Sequence, residues 1–423
     1  MSTSFEMGRG RGRRSVMGLF VLTAAGVAAA TLFAFLLPRY ELVRSFMIDA
    51  QCYRISGRWI LNGHPLYSGS LFGLKNGLEF VYPPIAAIPM IPLAMVSAHR
   101  YDELILFAEL TAVFAACWLS LRMLGYRASK KLAVAAGATT ALLLWIEPIW
   151  TSVHLGQINI FLMVLVLAGF HLRNRFAPGL IGAAAAMKLT PGLFIAGLFG
   201  VGERAKSYVA GASFVGFTLV AAAAMPRNSF DFWTDAVFHA SRIAPADNGA
   251  NFSIMGLIAR AFGTPTPPTI VWVAVAGTCA FATFIIMRRL YARGEVLLAV
   301  SLCGIAACAI SPFSWGHHWV WFLPLILGLA QRAWDDPRWP TITPVALVTA
   351  AVACWPVRFP SDRPAFLGLT AVKGGGPAVH WLTNNLYVLV FFALLAYLLV
   401  NTRERADEDL MAELDDVEVG ARV

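Results

Sequence analysis

Twelve apolar runs follow one another between Ser15 and Val400, at 15–37, 80–98, 103–124, 132–150, 157–172, 178–201, 207–225, 269–287, 296–314, 318–330, 342–358 and 384–400. A helix needs about 20 apolar residues to cross a bilayer, and several runs reach that length. In lipid every backbone polar group must be satisfied within its own structure, so only helices or a closed barrel are open to such a chain. No strand-length alternation marks a barrel. The expectation is an all-α integral membrane protein, a polytopic helical bundle of about 11–13 membrane segments.

Charge agrees. Charged residues make up 13% of the chain, about half of what a soluble domain carries, so a soluble enzyme, a nucleic-acid binder and a disordered chain are all poor fits. The net charge of +9 does not restore nucleic acid as a partner. Residues 402–423 hold eight acids and three arginines, which leaves +14 on the rest, much of it in short clusters between apolar runs. That is the positive-inside pattern of a membrane protein. The six cysteines form no CxxC pair and mostly sit in apolar runs, where they act as small apolar residues.

Three regions follow: a basic cytoplasmic N-terminus at 1–14, a transmembrane domain at 15–401, and an acidic cytoplasmic tail at 402–423. The clusters at 122–131, 173–175, 204–206, 288–293 and 331–340 are expected inside, with outer loops at 38–79 and 226–268. Strict alternation fails once, because crossings at both 80–98 and 103–124 would put the 122–131 cluster outside. Either the proline-rich 80–98 run does not cross, or the cluster breaks the rule. The run 178–201 starts and ends beside inner arginines, and its centre reads Met187-Lys188-Leu189-Thr190-Pro191-Gly192. Proline, glycine and a charge there predict a re-entrant pair of half-helices with Lys188 at its tip.

Polar residues gather at the outer ends of segments. They are Asp49 to Tyr53, Tyr82-Pro83-Pro84, His154, Gly156-Gln157-Ile158-Asn159, Asn251-Phe252-Ser253 and Ser311-Pro312-Phe313-Ser314-Trp315-Gly316-His317-His318, with Lys188 rising toward them. The pattern predicts one cavity at headgroup level.

In this order, with Leu66-Tyr67 and Lys188-Leu189-Thr190-Pro191, these motifs resemble glycosyltransferase family 87, polyprenyl-phosphate-sugar-dependent membrane transferases of the GT-C type. The likeness runs from about residue 15 to about 400, and the serine-proline to double-histidine block is its most specific piece. The pattern looks most like the family's branch of mycobacterial α-1,2-mannosyltransferases that extend phosphatidylinositol mannosides. Mannan-branching mannosyltransferases and arabinofuranosyltransferases of the family share much of it.

The resemblance implies an inverting α-1,2-mannosyltransferase in the plasma membrane, multi-pass, with its active site on the extracytoplasmic side. Polyprenyl-phosphate-mannose would be the donor and a phosphatidylinositol mannoside the acceptor, with no cofactor; no metal is expected, since no HExxH or acidic DxD-like pair appears in the outer loops. Asp49 would be the general base, since a sugar hydroxyl is a weak nucleophile that must lose its proton as the bond forms. The plain alternative for Asp49 is an N-cap for a short interfacial helix at 50–62. Lys188, His317 and His318 would meet the donor phosphate, whose growing charge needs cations or N–H donors. Against that stand a snorkelling lysine and ordinary interfacial histidines between Trp315 and Trp319. Neighbours at i,i+1 do not face one way on a helix, so at most one histidine is expected at the phosphate. Tyr53, Tyr82, His154, Gln157, Asn159, Asn251 and Trp315 are candidate substrate contacts, though Gln157, Asn159 and Asn251 could instead cap helix ends. Glu147, before Pro148, is placed to orient a cavity side chain. A transporter or flippase is the rival from another class, since it too would have a broken hairpin and a buried lysine.

Overall fold

The computed structural model describes residues 16–36, 47–71, 78–239, 242–358, 364–371 and 376–420. The N-terminus expected at 1–14 lies outside them, as do the side chains of the tail from 403 on. The architecture is the expected helical one. In chain order the helices are α1 (Val16–Leu36), α2 (Ile48–Leu61), α3 (Met90–Ala94), α4 (Ala98–Met123), α5 (Lys130–Leu143), α6 (Glu147–Leu155), α7 (Asn159–His171), α8 (Gly179–Met187) and α9 (Gly192–Gly200). There follow α10 (Arg204–Ala224), α11 (Pro226–Thr234), α12 (Ile254–Phe262), α13 (Thr269–Ala292), α14 (Val296–Ile310), α15 (Phe322–Asp335), α16 (Trp339–Val352) and α17 (Pro377–Gly420). A small antiparallel hairpin, β1 (Cys354–Arg358) with β2 (Pro364–Gly368), pairs Cys354 with Gly368. It was not legible in the apolar run 342–358.

Among the described residues four helices are long and apolar enough to cross a membrane: 100–123, 204–224, 269–292 and 377–402. The bent pair α6–α7, turned by 117°, makes a fifth candidate. Other runs are divided by proline, glycine or tight turns into shorter helices, which is why fewer long spans form than there are apolar runs. The 80–98 run is the clearest case. Pro83, Pro84, Pro89 and Pro92 leave only a 3-10 turn at 84–87 and the five-residue α3, so no spanning helix lies there.

That resolves the failed alternation. Tyr126 donates to Gln331 Oε1 at 2.9 Å, Arg332 bonds Glu295 at 2.5 Å, and Tyr291 bonds Glu203 at 2.9 Å. Arg293 reaches the Thr402 carbonyl at 2.8 Å. The basic clusters therefore gather at one end of the bundle, with 122–131 among them.

The α8–α9 pair is a hairpin, and α7 serves as a ruler for it. Ile181 packs on Gly169 near the far end of α7. Lys188 bonds Asn159 at the opposite end, and Phe194 returns to Phe170, ring centroids 6.2 Å apart. Small residues permit the fit. A side chain at Gly182 would strike Ala210 and Phe214 of α10, so α8 lies directly against that long helix.

Candidate active site

The site is built where α2, the α6–α7 turn, the α8–α9 tip and the 311–318 turn meet. α2 is amphipathic and too polar to span; it buries Ala50, Cys52, Tyr53, Arg54, Ser56 and Gly57. Tyr101 donates to the Ala50 carbonyl at 2.7 Å, Gln51 to Asp102 at 2.6 Å, and Arg54 to the Val96 carbonyl at 2.8 Å. Its start is pinned by the Met47 N–H, 3.3 Å from the His154 carbonyl. Met47, at φ 37°, is the non-glycine residue in the left-handed region among the described ones, a costly conformation that persists only where surroundings hold it.

Met47, not Asp49, is the N-cap, and no side chain caps this helix. The alternative role for Asp49 is therefore unfilled, and its carboxylate lies in the first turn, favoured there by the helix dipole. Burial pushes the Asp49 carboxyl above its ordinary value, while a hydrogen-bonding contact from Gln157 and the charge of Lys188 pull it back.

Gly156 ends α6 at φ +69°. A Cβ there would sit 2.6 Å from that of Ala50 and 3.0 Å from Met47 Sδ, so only glycine lets the turn approach α2 this closely. Beyond it, Gln157 Oε1 accepts from the Tyr53 hydroxyl and from Asn159 Nδ2, both at 3.1 Å. With Oε1 so engaged, the Gln157 NH₂ is the end left to serve Asp49. Tyr53 gives its proton to Gln157, so at the 3.0 Å contact with Tyr82 it accepts. Asn159 Nδ2 also donates to the His317 carbonyl at 3.1 Å, and Asn159 Oδ1 accepts from Lys188 Nζ at 2.7 Å. The result is a hydrogen-bonded chain Gln157–Asn159–Lys188, with Asp49 beside its Gln157 end and Tyr53 and Tyr82 along its flank. Lys188 Nζ lies 5.8 Å from the Tyr82 ring centroid, within cation–π range.

Beside Lys188 lies a small pocket lined by Asn159, Thr190, Phe194, Cys308, His318 and Trp321, among others. His318 lines this pocket with Lys188; the His317 ring instead stacks on Trp315, at 6.3 Å and 14°. The two neighbours thus divide as i,i+1 spacing requires. Burial, then the Lys188 charge, depress both imidazoles, that of His317 to about 3, so each is a neutral ring able to offer one N–H.

The other candidates are placed differently. Asn251 is fully buried. Its Nδ2 donates to the Ala246 carbonyl at 2.9 Å and the Pro312 carbonyl at 3.3 Å, and its Oδ1 accepts from Ser314 N at 3.1 Å. It braces the 311–318 turn with both ends of its amide, leaving one lone pair of Oδ1 for any further contact. Gln157 and Asn159 are likewise links between charged groups, not caps. His154 gives its carbonyl to Met47 and lays its ring against Trp150, centroids 6.2 Å apart. Trp315 packs on Phe313 at 4.8 Å. Thr190 and Cys308 were missed. Thr190 stood two residues from Lys188 in the broken segment, a usable signal, whereas Cys308 was indistinguishable from the apolar residues around it.

The family model for glycosyltransferase family 87 matches residues 80–312. The chain is 32% identical over 344 residues to the polyprenol-phosphate-mannose-dependent alpha-(1-2)-phosphatidylinositol mannoside mannosyltransferase of Mycobacterium tuberculosis, covering 78% of this chain and 79% of that one. It is 30% identical over 366 residues to the protein of the same name from Mycolicibacterium smegmatis, covering 79% and 82%. A polyprenol-phosphate-mannose-dependent alpha-(1-2)-phosphatidylinositol pentamannoside mannosyltransferase of Mycobacterium tuberculosis matches at 31% over 331 residues, 75% of this chain and 73% of that one. No solved structure matches.

Proposed function

The chain belongs to glycosyltransferase family 87, and on that premise we propose that it moves mannose from polyprenyl-phosphate-mannose to the 2-hydroxyl of a phosphatidylinositol mannoside. The transfer takes place on the extracytoplasmic face of the plasma membrane and forms an α-1,2 link. Donor and acceptor are those in the names of the relatives above. Both are lipids, and a site at the ends of the helices lets each keep its acyl or prenyl chains in the bilayer.

The chemistry follows the polar chain. The Asp49 carboxylate takes the proton of the acceptor hydroxyl as its oxygen attacks the anomeric carbon of mannose. The bond from that carbon to the phosphate oxygen breaks on the opposite face, so a β-linked donor gives an α product. Polyprenyl phosphate leaves with the bonding electrons, and Lys188 and His318 meet its charge. Fixed donors aimed where charge develops lower the barrier without reorganising. Gln157 and Asn159 hold base and cation at a set separation, the geometry a two-sided displacement needs.

The observation that carries this reading is that Lys188 is hydrogen-bonded through Asn159 to Gln157, the amide that favours the charged form of Asp49. The test is transfer by the purified protein from radiolabelled polyprenyl-phosphate-mannose to defined phosphatidylinositol mannosides, with linkage analysis of the product. An α-1,2-mannosylated lipid is expected. Use of an arabinofuranose donor alone, or lipid movement with no covalent product, would overturn the reading.

A further inference from the structure

Glu147 opens α6, the helix whose other end presents Gly156, Gln157 and the start of α7 to the site. Tyr387 of α17 donates to Glu147 Oε2 at 2.6 Å, and Thr370, just after β2, donates to Oε1. A side chain at Gly368 would collide with this carboxylate, so β2 closes directly over it. Two backbone ties reinforce the joint: Cys354 N donates to the Trp145 carbonyl at 2.6 Å, and Ile146 bridges Ala353.

Tyr387 connects onward. Its ring packs on Phe252 at 5.0 Å, Phe322 at 5.4 Å and Trp319 at 5.5 Å, the aromatic bed under the turn that carries His317 and His318. One carboxylate therefore joins the helix behind Gln157 to the support of the histidine turn. Its hydrogen-bond partners, Thr370 and Tyr387, both lie beyond the stretch matched by the family model, which ends at residue 312.

We propose that Glu147 is a positioning residue: by clamping α6 to Tyr387 and Thr370 it sets where Gln157 and Asn159 stand between Asp49 and Lys188. The proposal rests on the reading of Asp49 and Lys188 given above. A carboxylate suits the task because it accepts from two hydroxyls at once, and bonds to a charged group are worth about twice neutral ones. Misplacing a reacting group by about 1 Å can cost on the order of 100-fold in rate, so a small slide of α6 is enough to be felt.

Glu147→Ala removes both bonds, whereas Glu147→Gln and Tyr387→Phe each weaken one and keep the packing. Each variant is purified as the full chain in detergent or nanodiscs. In folded Glu147→Ala, kcat is expected to fall about 10- to 100-fold with donor KM nearly unchanged. Amide exchange at 155–160 should quicken while that of α13 stays as it was. The acid limb of kcat should move to higher pH, because Gln157 no longer favours the charged Asp49; the titratable groups facing Asp49 are Lys188, Cys52, Tyr53 and Tyr82. Combining Glu147→Gln with Tyr387→Phe should cost less than the sum of the two, since they break one bond. If Glu147→Ala does not fold, the two milder variants carry the test. Folded variants with wild-type kcat and an unmoved acid limb would overturn the proposal, whatever their exchange. Should Asp49→Asn transfer mannose normally, the base assignment fails on its own, and exchange at 155–160 still decides whether Glu147 clamps the turn.

Discussion

Lys188 Nζ donates to Asn159 Oδ1 at 2.7 Å, which joins the tip of a membrane hairpin to the first residue of α7. Asn159 passes the connection through Gln157 toward Asp49. A snorkelling lysine would direct its ammonium to water; this one is held inside by a fixed amide and an aromatic face. The bond explains why a positive charge sits in the broken middle of an apolar segment.

Lys188→Met should lower kcat by about 10²–10³-fold and weaken dependence on the donor more than on the acceptor. Steady-state kinetics with each lipid varied in turn checks this. Equal weakening toward both substrates would assign Lys188 a structural role.

The raised carboxyl of Asp49 sets a pH dependence. A base works only when deprotonated, so activity should fall as pH drops through a value above the ordinary carboxylate range. Gln157→Leu and Lys188→Met remove groups that favour the charged form, so each should move the acid limb further up. A pH–rate profile between about pH 4 and 9 on the three proteins is sufficient. A limb that moves down in either variant would contradict the assignment.

Gly156→Ala places a methyl where Ala50 and Met47 already stand and forces a left-handed backbone. A stability loss of about 1–3 kcal/mol is expected, together with a fall in kcat as α2 is pushed from the turn. Thermal unfolding and turnover on the same preparation test both. Unchanged values would mean the turn relaxes freely.

Asn251→Ala should behave differently from the residues of the polar chain. It leaves the Ser314 N–H and the Ala246 carbonyl short of a partner, a loss of about 1–3 kcal/mol. Activity should fall in step with stability and recover toward normal at low temperature. A folded, stable variant with selectively lost acceptor use would make Asn251 a sugar contact.

The sequence showed the parts of this molecule whose causes are local. Lysine, proline and glycine at 188–192 break a helix wherever they stand, so the hairpin was legible. The prolines of 80–98 made that run doubtful, but only the bonds from Tyr126 to Gln331 decided which end the 122–131 cluster occupies. That Asn251 braces a turn was not legible, because its partners Pro312 and Ser314 lie about sixty residues away. Glu147 stands at a helix start before Pro148, yet its partners Thr370 and Tyr387 are more than two hundred residues distant. The division between His317 and His318 followed from i,i+1 geometry, while the choice of His318 for the Lys188 pocket needed the fold.

The central claim is that Asp49 takes the proton of the acceptor hydroxyl. It is tested most directly by Asp49→Asn, purified and shown to be folded and to bind polyprenyl-phosphate-mannose as the parent does, in the radiolabelled transfer assay. Transfer is expected to fall by about 10²–10⁴-fold with donor binding retained. Turnover within a few-fold of the parent would contradict the account.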